Sequence, residues 1–136
     1  MTVPEIDAFN ASLKRCLAST RFLADFYDGF IASSEDVRRK FEHTDFERQT
    51  RMVADSLYMM AVAAQTGKDS VAWAEMSRLA DRHGGNDLAI RPELYDRWLE
   101  CLLAAVRSHD PQFSPEVEAN WRRTLGPGID YMRSRY

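Results

Sequence analysis

Three polar side chains lie on helical faces that are otherwise apolar, and these residues have the chemistry to form a site. They are Tyr27, Gln49 and His83. His83 follows Leu79 and Ala80 by four and three residues, a spacing that places all three on the same face of one helix. A polar group on an inward face costs free energy unless it is paired inside the protein, so each of the three needs a partner or a ligand.

Each of these residues also has an ordinary structural explanation when it is taken alone. An inward-facing histidine is more often a core residue bonded to a carbonyl than a metal ligand. A glutamine near a helix start often faces solvent or caps the helix, and a tyrosine usually packs its ring in the core with its hydroxyl at the surface. The sequence therefore indicates chemistry only through the combination of the three.

One imidazole on one helix, with an amide and a phenol on two others, is what a haem gas site requires. Iron takes a single neutral imidazole and leaves its sixth position open for a ligand. A gas such as oxygen takes on partial negative charge when it binds to the iron, and hydrogen-bond donors stabilise that charge. Tyr27 and Gln49 both carry such donors. We therefore predict that His83 binds the iron of haem b. The apolar slot for the porphyrin is predicted to be lined by Phe41, Val53, Leu79, Ile90 and Trp98.

The remaining histidines and the cysteines offer no second metal site. His43 lies in a polar turn before a helix, and His109 lies in the polar segment Ser-His-Asp-Pro. His83 is therefore predicted to be the only inward-facing histidine, which excludes ligation by two histidines. Cys16 and Cys101 are far apart without metal-ligand spacing and are expected to be buried free thiols.

The elements that must position these residues are predicted to be helices. Apolar residues recur at three- and four-residue spacing and alternating runs are absent, which predicts an all-α fold of about seven helices. A capping box at Thr44–Glu47 is predicted to begin a long helix, and Gly126-Pro127-Gly128 is predicted to interrupt or kink the last one. The predicted helices cover about 4–18, 20–31, 34–41, 45–64, 71–83, 92–109 and 115–132.

Composition predicts one soluble folded domain over residues 1–136. The chain has 45% hydrophobic and 29% charged residues, which are ordinary globular values. The net charge is -3 and the only basic doublets are short, so the sequence predicts no basic surface that would bind nucleic acid. No signal peptide and no run of about 18 apolar residues is present, so we expect a cytoplasmic protein that does not enter a membrane.

The order and spacing of the site residues follow a known pattern. Tyr27 precedes Phe41 by fourteen residues, and Val53 follows Gln49 by one helical turn. With Leu79, His83, Ile90 and Tyr95 in the same order, the chain resembles the globin family. The resemblance covers nearly the whole chain and is strongest to the single-domain bacterial globins related to the globin domain of flavohaemoglobins.

The resemblance implies a globin fold around haem and a role for each matching residue. Tyr27 and Gln49 correspond to the distal hydrogen-bond donors, and Phe41 corresponds to the phenylalanine that stacks on haem. The other correspondences are Val53 over the iron, Leu79 with His83 as the proximal pair, Ile90 as the residue that wedges haem, and Tyr95 as the tyrosine of the next helix.

Two departures from the family pattern bear on the chemistry. Glu35 replaces the usual corner proline, and an acidic residue also suits a helix start. Flavohaemoglobin-type globins bond the proximal imidazole to a late glutamate, which raises its basicity. The matching position falls at about Tyr136, which is not a glutamate. We therefore expect reversible gas binding in preference to oxidative catalysis.

The sequence leaves several functions open. The first is storage, transport or sensing of O₂, CO or NO, with tight retention because two distal donors are present. The second is oxidation of nitric oxide by a dioxygenase that takes electrons from a separate reductase. The third is a haem-free globin-fold sensor or interaction protein, in which His83 is a core residue. The oligomeric state is also left open.

Overall fold

The structure, a computed structural model, describes residues 2–84 and 90–135, and within them it has seven α-helices and no strand. The predicted all-α class and number of helices are therefore confirmed. The helices are α1 (Val3–Leu17), α2 (Phe22–Ala32), α3 (Glu35–Lys40), α4 (Phe46–Ala63), α5 (Val71–His83), α6 (Glu93–His109) and α7 (Pro115–Ser134). None of these helices combines the length and the apolarity needed to cross a membrane.

The core forms where the apolar faces of the helices meet. Helix α2 packs on α6, and α7 packs against α1, α4 and α5. Phe9, Phe26, Leu57 and Trp121 have no exposed surface in this core. Because burying a large apolar side chain stabilises a fold by about 1.5 to 3 kcal/mol, these contacts fix how the helices cross.

Helix α7 runs through Pro127 without a break, so the predicted interruption does not occur. The buried positions Trp121, Leu125 and Ile129 keep a four-residue spacing across the proline, and their burial holds the helix together. Gly128 allows a close approach here, because a Cβ at this position would lie 2.9 Å from the Met60 methyl carbon.

Two helix starts differ from the predictions by one or two residues. Helix α4 is capped by Asp45, whose side chain accepts from the Arg48 amide, and not by the predicted capping box from Thr44. Thr20 does not begin α2, because the amide of Arg21 bonds to the Ser19 hydroxyl and the chain stays in a turn. Thr44, which does not cap α4, lies in the wall of a large cavity.

A capping box that the sequence analysis did not predict begins α1. The Thr2 hydroxyl accepts from the amide of Glu5, and the Glu5 carboxylate accepts from the amide of Thr2. This reciprocal pair satisfies two amides that the first turn of a helix leaves without partners.

A buried carboxylate joins α1 to the corner between α6 and α7. The Asp110 side chain has no exposed surface, and it accepts from Ser12 Oγ at 2.6 Å and from Arg15 Nε at 2.6 Å. The Gln112 amide also donates to it, and Trp121 Nε1 donates to Ser12 Oγ. Burial alone would raise the pKa of Asp110, but the hydrogen bonds from Arg15 and Ser12 outweigh it and the pKa lies below its usual value.

We expect Asp110→Asn to lower the free energy of unfolding by about 3 kcal/mol at neutral pH, since it breaks a buried ion pair. A carboxyl whose pKa is lowered by folding stabilises the fold above its unfolded pKa of about 3.9, and that contribution is lost as the pH falls through the folded pKa. Urea unfolding should therefore show the difference between variant and wild type shrinking in acid. The exposed Asp28 provides the control, and Asp28→Asn should change stability by less than about 0.5 kcal/mol. Equal losses in the two variants would contradict the role of the buried pair.

His109 is more buried than its polar sequence context predicted. Its side chain is 15% exposed, its ring packs edge-on against Phe22, and Nε2 donates to Asp25 Oδ2 at 2.7 Å. The expectation that His83 is the only inward-facing histidine is therefore wrong, because the sequence does not show that the end of α6 packs on α2. His109 lies outside the cavity that contains His83.

Both cysteines are free thiols. Cys16 is fully buried, as predicted, and burial raises its pKa to about 12. Cys101 is only half-buried, so the predicted burial is correct for one cysteine and partial for the other.

Candidate functional site

A large cavity lies among helices α2 to α7. Its volume is about 380 Å³, within the range of about 300 to 1,000 Å³ that is usual for small-molecule sites. All nine residues chosen from the sequence line it: Tyr27, Phe41, Gln49, Val53, Leu79, His83, Ile90, Tyr95 and Trp98. Residues that are up to 71 positions apart in the chain, such as Tyr27 and Trp98, therefore meet in one place.

Two of the predicted donors are joined directly. Gln49 lies in the first turn of α4 and Tyr27 lies on α2, and Gln49 Nε2 donates to Tyr27 Oη at 3.2 Å. A side-chain amide nitrogen can only donate, so the tyrosine oxygen accepts this bond and its own proton stays available for another acceptor.

Aromatic packing holds the phenol of Tyr27 in place. Its ring lies 5.5 Å from Phe46, 5.6 Å from Phe41 and 4.7 Å from Phe26, measured between ring centroids. Burial raises the pKa of Tyr27 to about 12, although the hydrogen bond from Gln49 lowers it in part. The side chain therefore keeps its proton at neutral pH and is able to donate it.

His83 is the last residue of α5, and its ring orientation is set by the helix itself. Its Nδ1 lies 2.9 Å from the carbonyl oxygen of Leu79, one turn earlier. A carbonyl can only accept, so Nδ1 holds a proton, and the lone pair of a neutral imidazole is then on Nε2. This tautomer is the one that a histidine needs to bind a metal through Nε2, with its other nitrogen fixed by a backbone carbonyl.

Residues that follow α5 in the chain form another part of the cavity wall. Ile90, Tyr95 and Trp98 all line the cavity, and Trp98 meets Phe26 edge-on at 5.9 Å. Burial raises the pKa of Tyr95 to about 12, so this phenol is also neutral. The position at about Tyr136, where the sequence analysis placed the family's late glutamate, lies outside the described residues.

The cavity has further lining residues that the sequence analysis did not assign to it. Most of these residues are apolar. Lys40 and Arg82 directly precede Phe41 and His83, so a search for cations beside the predicted lining could have found them. The further residues are Phe30, Val37, Lys40, Thr44, Met52, Ser56, Met60, Arg82, Leu94, Ile129 and Met132.

Comparisons with known proteins bear on the fold. Residues 24–131 match the Globin family. A solved structure of protein PA3967 from Pseudomonas aeruginosa PAO1, described as structurally highly homologous to a human hemoglobin, is similar to this chain with a TM-score of 0.90. The two are 36% identical, and the match covers 97% of this chain and 98% of that one. No curated protein matches the chain.

Proposed function

Because the chain belongs to the globin family, we propose that it binds haem b in the cavity through His83 and binds a diatomic gas reversibly beside Tyr27 and Gln49. One observation carries the proposal. The same cavity is lined by a histidine whose Nδ1 is bonded to a backbone carbonyl and by a tyrosine whose hydroxyl accepts from a glutamine. A core histidine alone would explain the first feature but would give no reason for the second.

The cavity wall fits the chemical character of haem. Phe41, Val53 and Leu79 provide apolar contacts for a flat macrocycle, and His83 provides a nitrogen ligand of the kind that haem iron takes. Lys40 and Arg82 line the cavity and are also exposed, so they lie at its rim, where they would pair with the two carboxylates of haem.

Bound haem would supply an iron atom with one open coordination position for the gas. Tyr27 would donate its proton toward that position, because its oxygen is already an acceptor for Gln49. Gln49 would then act mainly by orienting the phenol. The apolar wall around them would keep water out, which strengthens each hydrogen bond in the site.

This arrangement supports storage, transport or sensing of O₂, CO or NO. The residues hold and orient a ligand, and no described residue of the cavity wall supplies electrons for sustained oxidation of nitric oxide. A dioxygenase would need a separate reductase, and catalytic consumption of nitric oxide would identify that activity.

We expect the haem-loaded, reduced protein to take up oxygen, release it under inert gas and repeat this cycle with an unchanged absorption spectrum. When nitric oxide is added to the oxygenated form, a carrier should consume about one equivalent per haem, leaving nitrate and ferric haem, and should then stop because the reductase and NADH supplied do not efficiently reduce its ferric haem. Consumption of many equivalents per haem would contradict a carrier function and identify a dioxygenase. Failure to take up oxygen would contradict both functions.

A further inference from the structure

An ion pair outside the cavity joins two segments that form parts of its wall. Asp36 is in the first turn of α3, and Arg91 lies in the segment between α5 and α6. Arg91 Nη2 and Nε donate to Asp36 Oδ2 at 2.9 and 3.1 Å, across 55 residues of sequence. A third guanidinium nitrogen, Nη1, lies 3.0 Å from Glu93 Oε1, which helps to hold Arg91 in this orientation.

The residues next to this pair in the chain are part of the cavity wall. Val37 follows Asp36 and is 1% exposed, and Ile90 precedes Arg91. Both Val37 and Ile90 line the cavity. The ion pair therefore lies where α3 meets the segment after α5, and it holds these two parts of the wall together.

The same segment is tied to the residue that would bind iron. The amide of Ile90 donates to the backbone carbonyl of His83 at 2.9 Å. A displacement of Arg91 would therefore be passed through Ile90 to the end of α5. In this way the pair links α3, which leads to Phe41, with the helix that ends at His83.

From these contacts, and resting on the proposed function, we infer that Asp36 and Arg91 are positioning residues that slow the loss of haem by holding the wall closed between α3 and the segment after α5. Their side chains are 33% and 49% exposed, so salt should screen their interaction. The pair acts through Val37, Ile90 and His83 and does not itself need to touch the cofactor.

The test measures transfer of haem from the loaded protein to an excess of a haem-scavenging apoprotein. We expect Asp36→Asn and Arg91→Gln each to raise the rate of haem loss by about two- to fivefold, the range that an exposed ion pair supports. The double variant should lose haem no faster than the faster single variant. At about 1 M salt, where the screening length is about 3 Å, variants and wild type should converge.

The matched control is another exposed pair, Glu100 with Arg122, which joins α6 to α7 at 2.8 Å away from the cavity. Glu100→Gln should leave the rate of haem loss unchanged. Urea unfolding of the haem-free proteins separates haem retention from general stability, since all variants should unfold at the same urea concentration as wild type. Haem loss that is unchanged in both single variants, additive in the double variant, or still raised at high salt overturns the inference. A wild-type protein that takes up no haem overturns the proposed function instead.

Discussion

Replacing His83 with alanine is expected to lower the affinity of the protein for haem by more than about a hundredfold. Loss of only an outer hydrogen-bond partner of a metal ligand already costs about 10- to 100-fold in affinity, and this variant removes the ligand itself. The variant should still fold, because His83 is a half-buried residue at the end of α5 and the apolar core does not depend on it. Titration with haem, followed by the Soret absorption band, measures the change.

Two further variants make this result specific. His83→Gly leaves space for free imidazole, and millimolar imidazole should restore much of the haem spectrum if the lost group is an iron ligand. His109→Gln alters a histidine outside the cavity that bonds to Asp25, and it should bind haem as the wild type does. If His83→Ala kept the same affinity and spectrum, iron ligation by His83 would be wrong.

The second large effect is expected at the distal tyrosine. Tyr27→Phe should raise the rate of oxygen dissociation by about five- to thirtyfold, because it removes a buried hydrogen bond of about 1 to 2 kcal/mol to the gas. The phenylalanine keeps the ring contacts with Phe41 and Phe46, so the packing of α2 should be unchanged. Stopped-flow displacement of oxygen by carbon monoxide measures the rate.

Gln49→Leu is expected to have a smaller effect, and one that depends on Tyr27. Since Gln49 donates to the tyrosine oxygen, it acts by orienting that hydroxyl, and the two effects should not add. The double variant should therefore release oxygen at nearly the rate of Tyr27→Phe. The exposed Tyr58 on the same helix provides the control, and Tyr58→Phe should leave the rate unchanged. Unchanged rates in both cavity variants would contradict the distal assignment, and additive effects would contradict the orienting role of Gln49.

The helical organisation of this chain could be predicted from the sequence because apolar residues recur at the three- and four-residue spacing that is typical of helices. Gln49 and Val53, one helical turn apart, were both predicted from the sequence to lie at the site, and both line the cavity. The site itself was indicated only by the combination of Gln49 with Tyr27 and His83, because a single polar residue on an apolar face also has an ordinary structural explanation.

Features that depend on contacts between distant residues could not be predicted in the same way. The spacing of Tyr27 and Gln49 suggested two independent donors, whereas the structure shows that one donates to the other. The pairing of Asp36 with Arg91 and the burial of Asp110 depend on which helices pack together, and one sequence does not contain that information. Local competition also matters, since Thr44 and Asp45 are both good caps and the choice between them was not visible in the sequence.

The measurement that tests haem binding at His83 most directly is an absorption spectrum of the reduced protein with equimolar haem, recorded before and after addition of carbon monoxide. If His83 binds the haem iron and a gas can also bind there, the Soret band should sharpen and shift on addition of carbon monoxide, with one equivalent bound per haem. The same spectrum from haem mixed with His83→Ala provides the baseline for haem that is not ligated by the protein. A wild-type spectrum equal to that baseline, with or without carbon monoxide, would contradict the account.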